Sequence, residues 1–201
     1  MIAIIDYDAG NILSVQKALD YLGQENILTR DRDELLAADK VILPGVGAFG
    51  DAMDKIRGYG LEEVIKEIVA KGTPFLGICL GLQLMFEKSE ESPNATGLCL
   101  LPGTIKHIPD GEYKKIPHMG WNSLSFTQKG KLYKGIDDGA YVYFVHSYYL
   151  DASDKSIVVA QTDYNVTIDA SVEKDNLFAC QFHPEKSSEL GLKILKNFVE
   201  L

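Results

Sequence analysis

Cys79 stands between a run that reads as a strand, Thr73-Pro74-Phe75-Leu76-Gly77-Ile78, and one that reads as a helix, Leu80 to Glu87. Gly77 and Gly81 flank it, and a reactive side chain on a tight strand-to-helix turn needs such small neighbours to avoid clashes. A thiol at the head of a helix also feels the partial positive charge of the helix N-terminus, which lowers its pKa from about 8.5 and enriches the thiolate. Cys79 is therefore a candidate nucleophile. Such a nucleophile needs a base, and of His107, His118, His146 and His183 only His183 carries its own orienter. Leu177 to Phe182 reads as a buried strand, and Pro184 biases His183 toward extended geometry. With side chains alternating at a period of two, His183 and Glu185 project to the same side. The carboxylate can bond one ring nitrogen and leave the other facing a thiol, which completes a set of nucleophile, base and orienter. Alone, the His-x-Glu would read more simply as a strand-end histidine paired with a surface glutamate. The cysteine turn reverses that preference.

The elements that must position these residues fall into two regimes. The first half alternates strand and helix: Ile2 to Asp6, then Ile12 to Leu22; Asn26 to Thr29, then a short helix near Asp33 to Ala37; Lys40 to Leu43, then a helix near Asp51 to Ile56; then Leu61 to Lys71, leading into the strand before Cys79. This is the rhythm of a parallel sheet covered on both faces. From Thr104 to Phe182 the pattern turns strand-rich, as in Ala140 to Val145 and Ile157 to Ala160, and an antiparallel extension is the simplest reading. A closing helix from Ser188 to Val199 carries Leu190, Ile194, Leu195 and Phe198 at helical spacing. The expectation is an α/β fold in one domain over residues 1–201, with a mostly parallel central sheet, helices on both faces and a strand-rich antiparallel extension.

Ligands of open α/β sheets collect beyond the carboxyl ends of the strands. The loops Asp8-Ala9-Gly10-Asn11 and Pro44 to Gly50 fall there, as does Cys79. Glycines at 45, 47 and 50 permit backbone geometries that aim N–H groups at a developing negative charge. Backbone groups of Val46 and Gly47, paired with the N–H of Leu80, would form an oxyanion hole for acyl transfer. A glycine-rich turn that merely turns, or that cradles phosphate, is the plainer alternative; it lacks the Walker lysine, and its spacing is no dinucleotide fingerprint.

The whole chain narrows the field. Its 201 residues, 46% of them hydrophobic, are enough for a substantial core. A net charge of −9 argues against nonspecific binding to nucleic acid or an anionic membrane, since both require a basic face. No apolar run approaches the roughly 20 residues needed to span a bilayer, and no signal-peptide pattern opens the chain, so a cytoplasmic protein is expected. The cysteines at 79, 99 and 180 form no C-x-x-C pair, which indicates neither a disulfide framework nor a zinc site. Cys99 and Cys180 lie in apolar strand-like runs and read as small buried hydrophobes. The odd separation of Cys180 and His183 sends them to opposite faces of a strand. Neither metal nor cofactor is expected. His107, in a probable edge strand, has no obvious partner.

Gly77-Ile78-Cys79-Leu80-Gly81-Leu82-Gln83 together with Gln181-Phe182-His183-Pro184-Glu185 resembles the triad, class I glutamine amidotransferases. Pro44 to Asp51, Pro117-His118-Met119-Gly120-Trp121-Asn122, Tyr143 to Tyr148 and His183 to Ser187 narrow the resemblance to the glutaminase subunits of imidazole glycerol phosphate synthase in histidine biosynthesis. These motifs span essentially the whole chain. Asp8 departs from the pattern, which more often has glycine there, and implies a stiffer turn. The resemblance implies that glutamine is hydrolysed to glutamate and ammonia by Cys79, His183 and Glu185. It further implies that ammonia passes through a tunnel to a separate (β/α)₈ cyclase subunit and reacts with PRFAR, giving imidazole glycerol phosphate and AICAR. By motif match Gly47, Gln83, Ser147 and Tyr148 contact the substrate amino acid, with core packing a competing role for Gln83 and Tyr148. Asn11, His118, Trp121, Asn122, Tyr143 and Lys186 belong near the cyclase interface, with a core position competing for Trp121 and a solvated charge for Lys186. The glutaminase subunit of another triad amidotransferase, such as anthranilate or aminodeoxychorismate synthase, is the alternative that the Pro44 and Pro117 motifs disfavour.

Overall fold

The computed structural model describes residues 1–111 and 115–201. Its strands are β1 (Ile2–Ile5), β2 (Asn26–Thr29), β3 (Lys40–Leu43), β4 (Phe75–Ile78), β5 (Lys88–Ser89), β6 (Gly103–His107), β7 (His118–Ser123), β8 (Ser125–Phe126), β9 (Tyr141–His146), β10 (Tyr148–Ala152), β11 (Val158–Tyr164), β12 (Val166–Lys174) and β13 (Leu177–Cys180). The helices are α1 (Ile12–Tyr21), α2 (Arg32–Ala37), α3 (Phe49–Gly58), α4 (Leu61–Ala70), α5 (Leu80–Leu84) and α6 (Ser188–Val199).

Strands such as Ile2-Ala3-Ile4-Ile5 are buried along their whole length, the pattern of a parallel strand covered on both sides. Because successive side chains alternate, each strand feeds two cores. Ala3, Ile5, Val41 and Phe75 pack with Met53 and Ile56 of α3 and Ile65 and Ile68 of α4. Ile2, Ile4, Ile42 and Leu76 pack with Val15 and Leu19 of α1 and Ile194, Leu195 and Phe198 of α6 on the other face. The central sheet runs β2-β1-β3-β4-β13-β12-β11-β8. Its pairings are parallel from β2 to β13 and antiparallel from β13 to β8. Two smaller sheets, β10-β6-β5 and the ribbon β7-β9, stand beside it. Among the described residues no helix is long and apolar enough to cross a membrane.

Three expectations need correction. The helix after Cys79 stops at Leu84 instead of reaching Glu87, because the carbonyls of Leu84 and Met85 accept from the N–H groups of Leu98, Leu100 and Leu101. That same returning chain holds Cys99 in an exposed loop at φ 54°, not in a buried strand. The strand carrying His107 is no edge: β6 lies between β10 and β5, and His107 meets the Tyr148 ring edge-on at 5.0 Å.

Candidate active site

Cys79 adopts φ 54°, ψ −108° at the junction of β4 and α5, a conformation that costs a non-glycine residue about 1–3 kcal/mol. Its surroundings enforce it. The Cys79 N–H donates to Cys180 O at 2.8 Å, and its carbonyl accepts from Gln83 N–H at 3.3 Å. A Cβ at Gly81 would lie 1.8 Å from Leu43 O and one at Gly77 would lie 2.8 Å from Gly81 O. These obstacles are backbone, so the turn can close only with glycine at both positions.

Parallel pairing of β13 with β4, with Cys180 opposite Ile78, carries the segment after Cys180 alongside the cysteine. His183 is fully buried. Its Nδ1 lies 2.7 Å from Glu185 Oε1, and the glutamate side chain is equally buried. Its Nε2 is buried with no ordinary hydrogen-bond partner, and the neighbouring Cys79 sulfur bears on its charge. Burial alone would push the imidazole pKa down, but Cys79 and Glu185 together outweigh it and raise it from 6.5 to about 10. The ring therefore holds a proton near neutrality.

Several residues of the site went unread in the sequence. Gln181, buried, points its amide Nε2 at Cys79 Sγ at 3.7 Å, while its Oε1 accepts from Gln83 Nε2 at 3.1 Å. Its period-two relation to His183 and Glu185 was the available signal. Tyr7 donates from its hydroxyl to Pro44 O at 2.8 Å; burial first, then the charge of Cys79, pushes its pKa up, so it stays a donor. Asn11 was expected at the partner face. Half-buried, it donates from Nδ2 to Glu185 Oε1 at 2.6 Å and stands 3.4 Å from His183 Nδ1.

A cavity of about 200 Å³ opens at Cys79, lined by Val46, Gly47, Leu80, Gln83, Glu91, Val145, His146, Ser147 and Tyr148. The four residues expected at the substrate amino acid, Gly47, Gln83, Ser147 and Tyr148, thus share one wall system with the thiol. Gln83 donates to Tyr148 O at 3.0 Å. The same carbonyl accepts at 2.9 Å from Nδ1 of His146, a ring that burial, above all, holds neutral by depressing its pKa to about 3. The backbone groups expected at an oxyanion are arranged less simply. Leu80 N–H donates to Gly45 O at 3.3 Å, so a loop carbonyl engages the donor; Gly47 sits at φ 119° and Val46 is exposed. A larger cavity of about 810 Å³, near Phe126, Tyr133 and Asn197, contains none of the triad residues.

The residues expected at a partner divide. Trp121 is 51% exposed, packed edge-on against Tyr143 at 6.1 Å, with Met119 and Tyr141 also exposed. Lys186 is exposed, while Tyr143 and Asn122 are half-buried. His118 does not face outward. Its ring is 2% exposed, stacked on Phe144 at 4.6 Å and Tyr164 at 3.9 Å, with Nδ1 2.9 Å from His146 Nε2. Among the described residues no group of three or more His, Cys, Asp and Glu side chains is placed to hold a metal ion.

The model of the family "Glutamine amidotransferase class-I" matches residues 3–201. The chain is 53% identical over 200 residues to the imidazole glycerol phosphate synthase subunit HisH of Moorella thermoacetica, covering 100% of this chain and 94% of that one. It is 51% identical over 201 residues to the subunit of the same name from Methanothermobacter thermautotrophicus, covering 100% and 98%. Among solved structures, a glutamine amidotransferase crystal structure superposes with a TM-score of 0.78 at 18% identity, over 100% of this chain and 98% of that one. The glutaminase domain of Trypanosoma brucei CTPS with bound acivicin superposes with a TM-score of 0.67 at 18% identity, over 99% and 93%.

Proposed function

The chain belongs to the class-I glutamine amidotransferases and, within them, to the HisH subunits of imidazole glycerol phosphate synthase, and on that footing we propose that Cys79, His183 and Glu185 hydrolyse glutamine to glutamate and ammonia. His183 takes the Cys79 thiol proton on Nε2, the sulfur attacks the side-chain amide carbon, and His183 gives that proton to the departing nitrogen as the C–N bond breaks. A thioester remains. Water attacks it with His183 as base, the C–S bond breaks, and glutamate leaves with the thiol restored. Glu185 keeps the ring in the tautomer and orientation that both steps need. One observation carries this reading: the buried His183 Nε2 has no ordinary hydrogen-bond partner beside the Cys79 sulfur, while Nδ1 is held by a buried carboxylate. Gly47, Gln83, Ser147 and Tyr148 hold the amino-acid end of glutamine.

The ammonia is delivered through a channel to a (β/α)₈ cyclase subunit in a cytoplasmic heterodimer, where a lyase reaction converts PRFAR to imidazole glycerol phosphate and AICAR. An exposed Trp121 beside Tyr143 supports docking on the β7–β9 ribbon, since aromatic anchors dominate interface energetics. Asn122 and Lys186 border the same contact. Activation is allosteric: the Leu80 N–H is engaged by Gly45 O, and partner and acceptor together favour a loop conformation in which Val46, Gly47 and Leu80 serve the oxyanion.

In the complex, Cys79→Ala is expected to abolish glutamine-dependent synthesis and leave synthesis from free ammonia intact. A glutamine-analogue electrophile is expected to label the wild type at Cys79. Substantial glutamine hydrolysis by Cys79→Ala would remove the thiol from the mechanism.

A further inference from the structure

We propose that Asn11 is a positioning residue of the triad, one that holds the Glu185 carboxylate in line with His183. The proposal rests on the glutaminase reading above and deepens it. Asn11 is the N-cap of α1, where asparagine ordinarily turns its side chain onto an N–H of the first turn. Here it makes no cap hydrogen bond. The amide reaches Glu185 Oε1 instead, at 2.6 Å; a carboxylate only accepts, so the group facing it is the NH₂. Glu185 is fully buried, and its other oxygen has no hydrogen-bond partner among the described residues. Its hold therefore comes from His183 Nδ1 and Asn11 Nδ2, both on one oxygen. Without Asn11 the carboxylate keeps a single tie and gains freedom to rotate away from the imidazole plane. Asn11 contacts neither the thiol nor the cavity, so it acts through Glu185.

The loop that presents Asn11 is braced from outside the site. Asp8 and Asn11 both take left-handed conformations, at φ 57° and 68°. Asp8 binds Arg30 Nη2 at 2.7 Å and accepts from the Tyr59 hydroxyl, and its carbonyl accepts from Lys55 Nζ at 3.0 Å. Arg30 also holds Asp6 at 2.7 Å and lies 4.1 Å over the Tyr59 ring. Two left-handed residues in one short turn leave little choice of where the Asn11 amide points, and the brace fixes that choice.

The test uses the full chain in complex with its cyclase. Asn11→Asp keeps the shape and tolerates the left-handed turn, but it sets an acceptor against an acceptor. It is expected to lower kcat for glutamine hydrolysis by the saturated complex about 10-fold to 100-fold, the scale of a misplaced catalytic group, with KM and ammonia-dependent synthesis unchanged. Asn11→Ala is expected to lose kcat similarly in the wild type and to lose nothing further in a Glu185→Ala background, because its effect passes through that carboxylate. Wild-type kcat in Asn11→Asp, a loss confined to cyclase affinity, or additive losses in the double variant would each overturn the assignment. Wild-type complex that releases no glutamate would overturn the glutaminase reading as well, which separates the two failures.

Discussion

Two turns share the carboxyl edge of the central sheet, and the absence of a side chain does opposite work in each. At the Cys79 turn, glycines 77 and 81 are required because a Cβ would strike backbone, and the strained cysteine is tied at both N–H and carbonyl. At the Pro44–Gly50 loop, a Cβ on Gly47 would meet nothing within 4 Å; glycine is wanted there for its φ of 119°. Gly45 alone in that pair is pinned, since Tyr7 Oη stands where its Cβ would be. The contrast separates a crowded turn from an open one. Cys79 sits on a turn that close backbone holds in one conformation, whereas the loop carrying Val46 and Gly47 has open space at Gly47, which is what the proposed oxyanion switch requires.

The strongest way to break this comparison is Gly81→Ala. With backbone 1.8 Å from the added carbon, the variant is expected to lose about 3 kcal/mol or more, the upper range for overpacking, read as a lower denaturant midpoint. A wild-type midpoint would show that the turn can relax. Next in size are the triad partners: His183→Ala is expected to be nearly as damaging to glutamine turnover as Cys79→Ala, since both proton transfers are lost, and Glu185→Gln to be milder, since it keeps an acceptor for Nδ1 but loses the charge that favours imidazolium. A Glu185→Gln variant worse than His183→Ala at every pH would reverse the assigned roles. A smaller effect lies in the pH dependence of stability. Against the downward push of burial, Cys79 and Glu185 hold His183 up at about 10. A raised pKa contributes stability that is complete below the unfolded value of about 6.5 and is lost as pH rises through the folded one. The stability advantage of wild type over Cys79→Ala is therefore expected to shrink between about pH 6.5 and 10 in urea titrations; an advantage that grows over that range would contradict the placement of the thiol.

The cysteine turn and the sheet around it were also the parts the sequence made legible. Short apolar runs bounded the strands Asn26–Thr29 and Lys40–Leu43 to the residue, helical spacing of apolar side chains bounded the helix Ser188–Val199, and the glycine-flanked cysteine announced its turn. The His-x-Glu spacing paired His183 with Glu185, although Pro184–Lys186 is a 3-10 turn and not the extended strand that alternation assumed; a period of two along the extended stretch before it would have placed Gln181 with His183. Where side-chain direction depends on a left-handed backbone, periodicity is silent. The contact of the Asn11 amide with Glu185 was therefore not legible, since only the resemblance said anything of Asn11. The burial of His118 was illegible for another reason: the β7–β9 ribbon forms a sheet of its own, and which of its faces turns inward depends on Phe144 and Tyr164 stacking on the ring. The hydrogen bond from Leu80 to Gly45 O is a choice between peptide orientations that a glycine-rich sequence leaves open.

The proposed switch in the Pro44–Gly50 loop is tested most directly by glutamine turnover of the isolated chain against that of the cyclase complex loaded with its acceptor, each measured in wild type and in Gly47→Ala. One oxyanion donor is worth roughly 10²-fold to 10³-fold in turnover. Wild type is expected to gain on that scale in kcat, with a much smaller change in KM, and Gly47→Ala, which resists positive φ, to gain far less. Comparable turnover for the isolated wild-type chain and the loaded complex would contradict the account.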